Sequence, residues 1–331
     1  MQAIVVPEFQ HHNKLKVGRV PKPQVTSDGD IIVRVYAAGV NFFDGLLVAG
    51  KYQVKPPLPF IPGSEYAGVV EEVGKGVTQF KPGDKVFGNS LAGCFGEYVK
   101  TYSPILFHIP TGMTFAQAAG FTVVYGTSWA GLKWRGDLKP GETVLIHAAA
   151  GGVGLAAVQI AKALGAKQII ATAGSPEKLA IAKANGADEV INYNTEDFVK
   201  RVKKITNGRG VDVCYDPVGG DVFKKSLRCL AWGGRVVVVG FPAGIPKIAT
   251  NYLLLKSISV VGLHWGAYQK HSMKEWRTTV TECCKMFIEG KVKPIVYKTY
   301  SLENTPKAID DITERKTYGK CIIVVAKESK M

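Results

Sequence analysis

Negative charge is scarce in this sequence. Its 331 residues carry 27 Asp and Glu against 42 Lys and Arg, a formal surplus of +15. That surplus leaves a phosphate-rich ligand, an anionic membrane surface or a nucleic acid open as partners, and it says nothing about fold. A long uninterrupted apolar run is also missing. The one extended apolar window, Thr143 to Ala166, is broken by Gly151, Gly152, Gly154, Gly165, His147, Gln159 and Lys162, whereas a membrane helix needs about 20 mainly apolar residues. It reads as a strand, a turn and a helix. The opening Met1-Gln-Ala-Ile-Val-Val-Pro7 has no charged stretch before its short apolar run, so no secretory signal is expected and a cytoplasmic location is. Six cysteines, at 94, 214, 229, 283, 284 and 321, form no CxxC pair. Adjacent Cys283 and Cys284 would leave a helix on different sides, so reduced thiols are expected, with neither a disulfide framework nor a shared metal. No dense aromatic-basic stretch of the RNA-recognition kind occurs.

Glycine, by contrast, is abundant, with 37 residues and no collagen-like repeat. Residues 1–122 read as β-rich, with runs such as Ile31-Ile-Val-Arg-Val-Tyr36 and Gly68-Val-Val-Glu-Glu-Val73 separated by Pro and Gly clusters. Pro56-Pro57-Leu-Pro59 and Pro62-Gly63 mark an extended loop. Over 123–266 the pattern changes to short apolar runs alternating with helical spacing. The runs begin at Thr143, Gln168, Glu189, Val211, Arg235 and Ser259, and helices are expected over 154–164, 175–185, 196–206 and 221–230. Repeated β-α units imply a doubly wound parallel sheet. After 267 come a helix over 271–289, a second over 305–315 and a strand over 320–325. This tail has no core of its own, so 267–331 is expected to return to the 1–122 domain, with 123–266 inserted between the halves.

The most informative segment is Val144-Leu-Ile-His-Ala-Ala-Ala-Gly-Gly-Val-Gly-Leu155. Ala149, Gly151 and Gly154 occupy the positions of a GxGxxG dinucleotide fingerprint, between a strand and an apolar-periodic helix. Gly151 allows close approach of a pyrophosphate, Gly154 allows close helix packing, and Ala150-Gly151-Gly152-Val153 opens the helix with free N–H groups. The end of the next strand discriminates between dinucleotides. An NAD site places Asp or Glu there for the ribose 2′-hydroxyl. Here Gly174 and Ser175 stand instead, followed by Lys178. A 2′-phosphate held by Ser175, Lys178 and the helix start gives an NADPH preference. The competing reading makes Ser175 a helix cap and Lys178 a solvated surface residue.

Together, the Ala-Gly-Gly-Val-Gly turn, Gly39-Val-Asn-Phe-Phe-Asp44, Gly50-Lys-Tyr52, Pro62-Gly-Ser-Glu-Tyr-Ala-Gly68, Phe80-Lys-Pro-Gly-Asp-Lys-Val86 and Tyr125-Gly-Thr127 resemble the medium-chain dehydrogenase/reductase superfamily. The resemblance covers nearly the whole chain and is closest to the zinc-free NADPH:quinone oxidoreductase, zeta-crystallin-like branch. It implies a Rossmann domain inserted into a GroES-like catalytic domain, and a homodimer. At the zinc-ligand positions of metal-dependent relatives stand Asn41, Ser64 and Ala119, so metal-free catalysis is expected. Oxidising a plain alcohol without a Lewis acid is disfavoured, whereas an electron-poor quinone or enone asks only that the nicotinamide hydride be placed and water excluded.

The strand order would bring Gly240, Phe241, Leu263 and His264 to the carboxyl edge of the sheet, where cofactors lie. By resemblance, Phe241 and Leu263 border the nicotinamide, Tyr193 lies at the adenosine 2′-phosphate, and Lys320 approaches the phosphates. The resemblance also implies that Asn41 and Tyr52 orient the acceptor carbonyl and that Thr127 holds the cofactor. The proton comes from water or the Tyr52 hydroxyl. Asp44 is expected to bond nearby backbone, His147 to be a satisfied polar group, Cys94 to pack, and His11-His12 to be a lone surface pair. His264 is left between a surface and a functional role. Two alternatives stay open: an enoyl-thioester reductase of the acryloyl-CoA type, and a single-stranded RNA-binding protein. The C-terminal Ser329-Lys330-Met331 resembles a peroxisomal address.

Overall fold

The computed structural model describes residues 1–326, so Ser329-Lys330-Met331 lies outside the described residues. Two compact units are present, one of Met1–Val123 with Pro294–Met331 and one of Val124–Lys293. Among the described residues no helix is long and apolar enough to cross a membrane.

The first unit is built on a seven-stranded sheet. Its central strand, Asp30–Val40, has Glu65–Val73 antiparallel along one edge. Tyr98–Tyr102 and Lys320–Val324 share the other edge, both antiparallel. Pairing of Cys321 with Val40 and of Val324 with Ala37 is what returns the C-terminal segment to this unit. The central strand has one extra residue: Val35 lies opposite Gly68 and Ala37 opposite Ala67, leaving Tyr36 unmatched. That bulge reverses the alternation of faces. Ile31, Val33 and Val35 enter the core before it, Ala38 and Val40 after it. Asn41 therefore follows an inward Val40 and starts the helix Phe42–Val48.

The second unit carries a six-stranded, all-parallel sheet. Its order is Glu189–Asn192, Gln168–Ala173, Thr143–Ile146, Val211–Asp216, Leu230–Val238 and Ser259–Gly262. In chain order this is 3-2-1-4-5-6, the Rossmann arrangement, whose order reverses between the first and fourth strands. Val144, Leu145 and Ile146 are wholly buried, as a strand covered by helices on both faces requires.

The return to the first unit comes at Pro294 rather than at 267. Residues 267–293 stay with the parallel sheet because their apolar stripe is used there. Helix Met273–Ile288 buries Trp276, Thr279, Val280 and Cys283. Trp276 lies 5.3 Å from Trp265 between ring centroids, and Trp265 Nε1 donates to Thr279 Oγ1 at 3.0 Å. Gln159 closes the segment, accepting from Lys293 N at 2.9 Å and donating to Lys293 O at 3.0 Å.

Candidate functional site

In the parallel-sheet unit, the Gly-rich turn leaves strand Thr143–Ile146 through Ala148, a non-glycine residue at φ 47°. Gly151 N donates to Ala148 O at 2.9 Å, and helix Gly152–Ala163 begins with no side-chain cap and no acidic residue in its first turn. Its leading N–H groups and partial positive charge suit an anion. A Cβ at Gly154 would lie 2.1 Å from Ala148 O, so only glycine lets the helix sit this close. A Cβ at Gly151 would meet only Ala148 O, at 3.3 Å, leaving the space in front of the turn open. Ser128, beside Thr127, donates to Val153 O at 2.8 Å and bonds the Tyr215 hydroxyl at 3.1 Å, tying the Thr127 helix to this turn.

At the end of the second strand, Ser175 Oγ accepts from Lys178 N at 3.3 Å, so Ser175 does cap helix Pro176–Ala184. Capping uses one lone pair and leaves the hydroxyl able to donate. A Cβ at Gly174 would lie 2.6 Å from the Tyr193 hydroxyl, and Asn194 Nδ2 donates to Gly174 O at 2.8 Å. Gly174, Ser175, Tyr193 and Asn194 thus meet at one strand end. Lys178 is half-buried in the first turn of the same helix.

Further along the carboxyl edge, Asp216 accepts from Val218 N at 2.8 Å and Gly219 N at 3.1 Å. Gly219, at φ 76°, packs against Phe241 so closely that a Cβ would sit 2.8 Å from its Cα. Phe241 follows Gly240 at the strand end and is exposed, Leu263 is half-buried with its N–H on Val238 O, and exposed His264 precedes the short helix Trp265–Ala267. His147 is satisfied on both ring nitrogens, by Thr172 Oγ1 at 2.9 Å and Ser226 Oγ at 2.7 Å. Burial lowers its pKa to about 3, so it stays neutral and is no general base.

The first unit gathers a buried polar cluster. Lys320 Nζ donates to Val40 O at 2.9 Å, Asn41 Oδ1 at 2.7 Å and Glu65 Oε1 at 2.8 Å. Asn41 Nδ2 donates to Glu65 Oε1 at 2.7 Å and Ser64 Oγ at 3.2 Å. Val123 N donates to Glu65 Oε2 at 2.8 Å. Asp44 accepts from Asn41 N at 2.7 Å, the expected backbone bond, and burial raises its pKa to about 7. Tyr52 is half-buried and stacked on Phe43 at 5.2 Å between centroids. Burial raises the pKa of its phenol.

Comparison with known proteins settles the family. A family model described as "Alcohol dehydrogenase GroES-like domain" matches residues 27–111, and one described as "Zinc-binding dehydrogenase" matches 152–283. Human quinone oxidoreductase is 33% identical over 327 residues, 98% of each chain. A Nematostella vectensis quinone oxidoreductase-like protein 2 homolog is 43% identical over 295 residues, 88% of this chain and 80% of that one. The Escherichia coli quinone oxidoreductase structure complexed with NADPH superposes with a TM-score of 0.90 at 33% identity, covering 98% of this chain and 100% of the other. The chain belongs to the medium-chain dehydrogenase/reductase superfamily.

This medium-chain dehydrogenase/reductase is an oxidoreductase with a GroES-like unit, named by one family description, and a Rossmann unit, most of which the other description matches. One of those descriptions implies zinc. The residues gathered where the resemblance would place a metal do not suit one: an Asn amide and a single carboxylate hold a lysine ammonium, which would repel a metal ion, and the Ser hydroxyl is bonded to the Asn amide. Among the described residues no three His, Cys, Asp or Glu side chains group to hold a metal. The second unit fits a dinucleotide in one respect that its geometry shows: the uncapped helix start at 151–153, open in front of Gly151, has the N–H groups a pyrophosphate would need.

Three expectations need correction. Lys320 has no donor left for a phosphate, because its ammonium has three N–H bonds and all are engaged. Asn41 likewise has no amide hydrogen left for an acceptor carbonyl. His12 is no surface residue: it is buried and pairs with Asp310 at 2.7 Å. Cys94 is wholly buried among core residues, as packing requires. Sequence reasoning missed Ser128, Tyr215, Asn194 and Asp216. Only Asp216 left a usable signal, in the Asp216-Pro-Val-Gly-Gly220 run closing a strand.

Proposed function

We propose that this oxidoreductase moves a hydride from NADPH to a quinone or a related α,β-unsaturated carbonyl, without a metal. The observation that carries this reading is the end of the second strand. Gly174 and Ser175 stand where a ribose 2′-hydroxyl would need a carboxylate, and the Tyr193 hydroxyl and a helix N-terminus adjoin them. The quinone oxidoreductase relatives and the NADPH-bound structural neighbour support the same reading.

NADPH, when bound, supplies the hydride, and the acceptor also takes up one proton to become the hydroquinone. Thr127 holds the cofactor's nicotinamide end. The Tyr52 phenol, its pKa raised by burial, keeps its proton at neutral pH and donates to the acceptor carbonyl. Phe241 and Leu263 exclude water from the nicotinamide side. Ser175 and Lys178 take the 2′-phosphate.

Turnover of NADPH with a small quinone, a simple enone and an enoyl-CoA thioester tests the assignment. Quinone and enone are expected to oxidise NADPH. Oxidation with the thioester alone would replace this reading with an enoyl-thioester reductase.

A further inference from the structure

The Lys320 ammonium sits at the start of strand Lys320–Val324, its side chain 6% exposed, against Glu65 at 1%. Two close approaches fix it there. Gly319, at φ 55°, lets the strand begin against Ile295 O, to which a Cβ would come within 2.4 Å. Gly120 packs on the lysine stem, with a Cβ there 3.1 Å from Lys320 Cβ and Cγ. The stem has no room to swing, and the ammonium is delivered to three oxygens, Val40 O, Asn41 Oδ1 and Glu65 Oε1.

This arrangement dictates the orientation of the Asn41 amide. The two ends of a carboxamide are nearly the same size, so packing alone would not distinguish them. Here one end faces an ammonium, which can only donate, and the other faces a carboxylate, which can only accept. A flipped amide would set N–H against N–H and oxygen against oxygen, losing two charge-assisted bonds at once. With Oδ1 toward Lys320 and the Asp44 N–H of the capping box, and both Nδ2 hydrogens on Glu65 and Ser64, the Asn41 amide is held in one orientation with no N–H left to give.

We infer that Lys320 is a positioning residue, a built-in cation that locks the Asn41 amide in one orientation, with its oxygen toward the ammonium and both N–H groups committed to Glu65 and Ser64, so that Asn41 has no N–H to donate to an acceptor carbonyl. The inference rests on the reading of Asn41 as a residue that touches cofactor or acceptor. Lys320 itself touches neither.

The test uses the full chain labelled with 15N-asparagine, with Asn41→Ala identifying the Asn41 side-chain signal. In the wild type both Asn41 amide hydrogens are expected to exchange slowly with solvent, because each is donated to a buried acceptor. Fast exchange would overturn the inference outright. Lys320→Met strands the Glu65 charge and is expected to fold poorly. Lys320→Met/Glu65→Gln removes both charges together and provides the folded comparison. In that double variant the Asn41 protection is expected to fall at least about tenfold. Turnover with whichever acceptor the wild type reduces is expected to fall by a similar factor. The ratio of NADPH to NADH affinity, read by nicotinamide fluorescence, is expected to stay within about threefold of wild type. A collapse of that ratio would make Lys320 a phosphate ligand, and unchanged protection with unchanged turnover would make it a packing residue only. If the wild type reduces none of the acceptors, the proposed function fails, while amide protection and the affinity ratio still decide the role of Lys320.

Discussion

Gly174 and the Tyr193 hydroxyl are in contact: a methyl group on Gly174 would come within 2.6 Å of that oxygen. Tyr193 is an exposed side chain whose far end can swing away, so Gly174→Ala is expected to leave thermal stability nearly unchanged. It displaces the hydroxyl from the strand end. NADPH affinity, measured by fluorescence titration, is expected to fall about tenfold, roughly the worth of one hydrogen bond to a charged group. A large stability loss with unchanged affinity would show that the contact serves packing only.

Lys178→Ala separates phosphate recognition from surface solvation. Removing a cation beside a 2′-phosphate is expected to weaken NADPH by about tenfold or more and NADH little. Equal losses for both dinucleotides, in parallel titrations, would remove Lys178 from the site.

The two glycines of the first turn are predicted to fail in different ways. Gly154→Ala places a carbon 2.1 Å from the Ala148 carbonyl oxygen, and backbone cannot step aside cheaply. A loss of about 2 to 4 kcal/mol is expected in chemical denaturation. Gly151→Ala meets that oxygen only at 3.3 Å, so its stability loss is expected to stay within about 1 kcal/mol. Its effect falls on dinucleotide binding, because the methyl group projects into the space before the turn.

Two buried groups give opposite pH dependences. His147 is held near pKa 3 against an ordinary 6.5, so between those values the unfolded chain binds the extra proton. Its contribution is fully present above pH 6.5 and is lost as pH falls, by up to about 1.4 kcal/mol per pH unit. Asp44 is raised to about 7 from an ordinary 3.8, so over that range the folded state holds the extra proton. Stability from Asp44 is present below 3.8 and is lost as pH rises toward 7. Denaturation across pH 4 to 8 is therefore expected to show His147→Gln losing the acid-side fall and Asp44→Asn losing the neutral-side one. Curves that stay parallel to wild type would contradict both assignments.

Much of this molecule was legible in the sequence, for physical reasons that also explain what was not. The six strands of the parallel sheet overlap the short apolar runs, because strands covered on both faces are largely apolar, but the fifth starts at Leu230, before the run at Arg235 and where helical spacing was expected to end. Ser175-Pro176 marked a helix start by local chemistry alone, and the cap is there. Helix Met273–Ile288 was equally visible, but an apolar stripe does not say which core it enters, so its unit was misassigned. The bulge at Tyr36 depends on pairing with Gly68 and Ala67 and has no mark of its own. Lys320 and Glu65 are 255 positions apart, and His12 and Asp310 are 298 apart. Isolated charges at such separations read as solvated residues until the fold pairs them. The surplus of +15 is explained only in small part, since Lys320 is consumed internally and Lys178 alone is assigned to a ligand.

The most direct test of the whole account is NADPH oxidation with a small quinone by protein stripped with a chelator and shown zinc-free by elemental analysis. The account predicts the full rate, one hydroquinone formed per NADPH, and no gain on adding zinc. Loss of the rate on stripping with recovery on zinc addition, or no oxidation with any quinone, would contradict it.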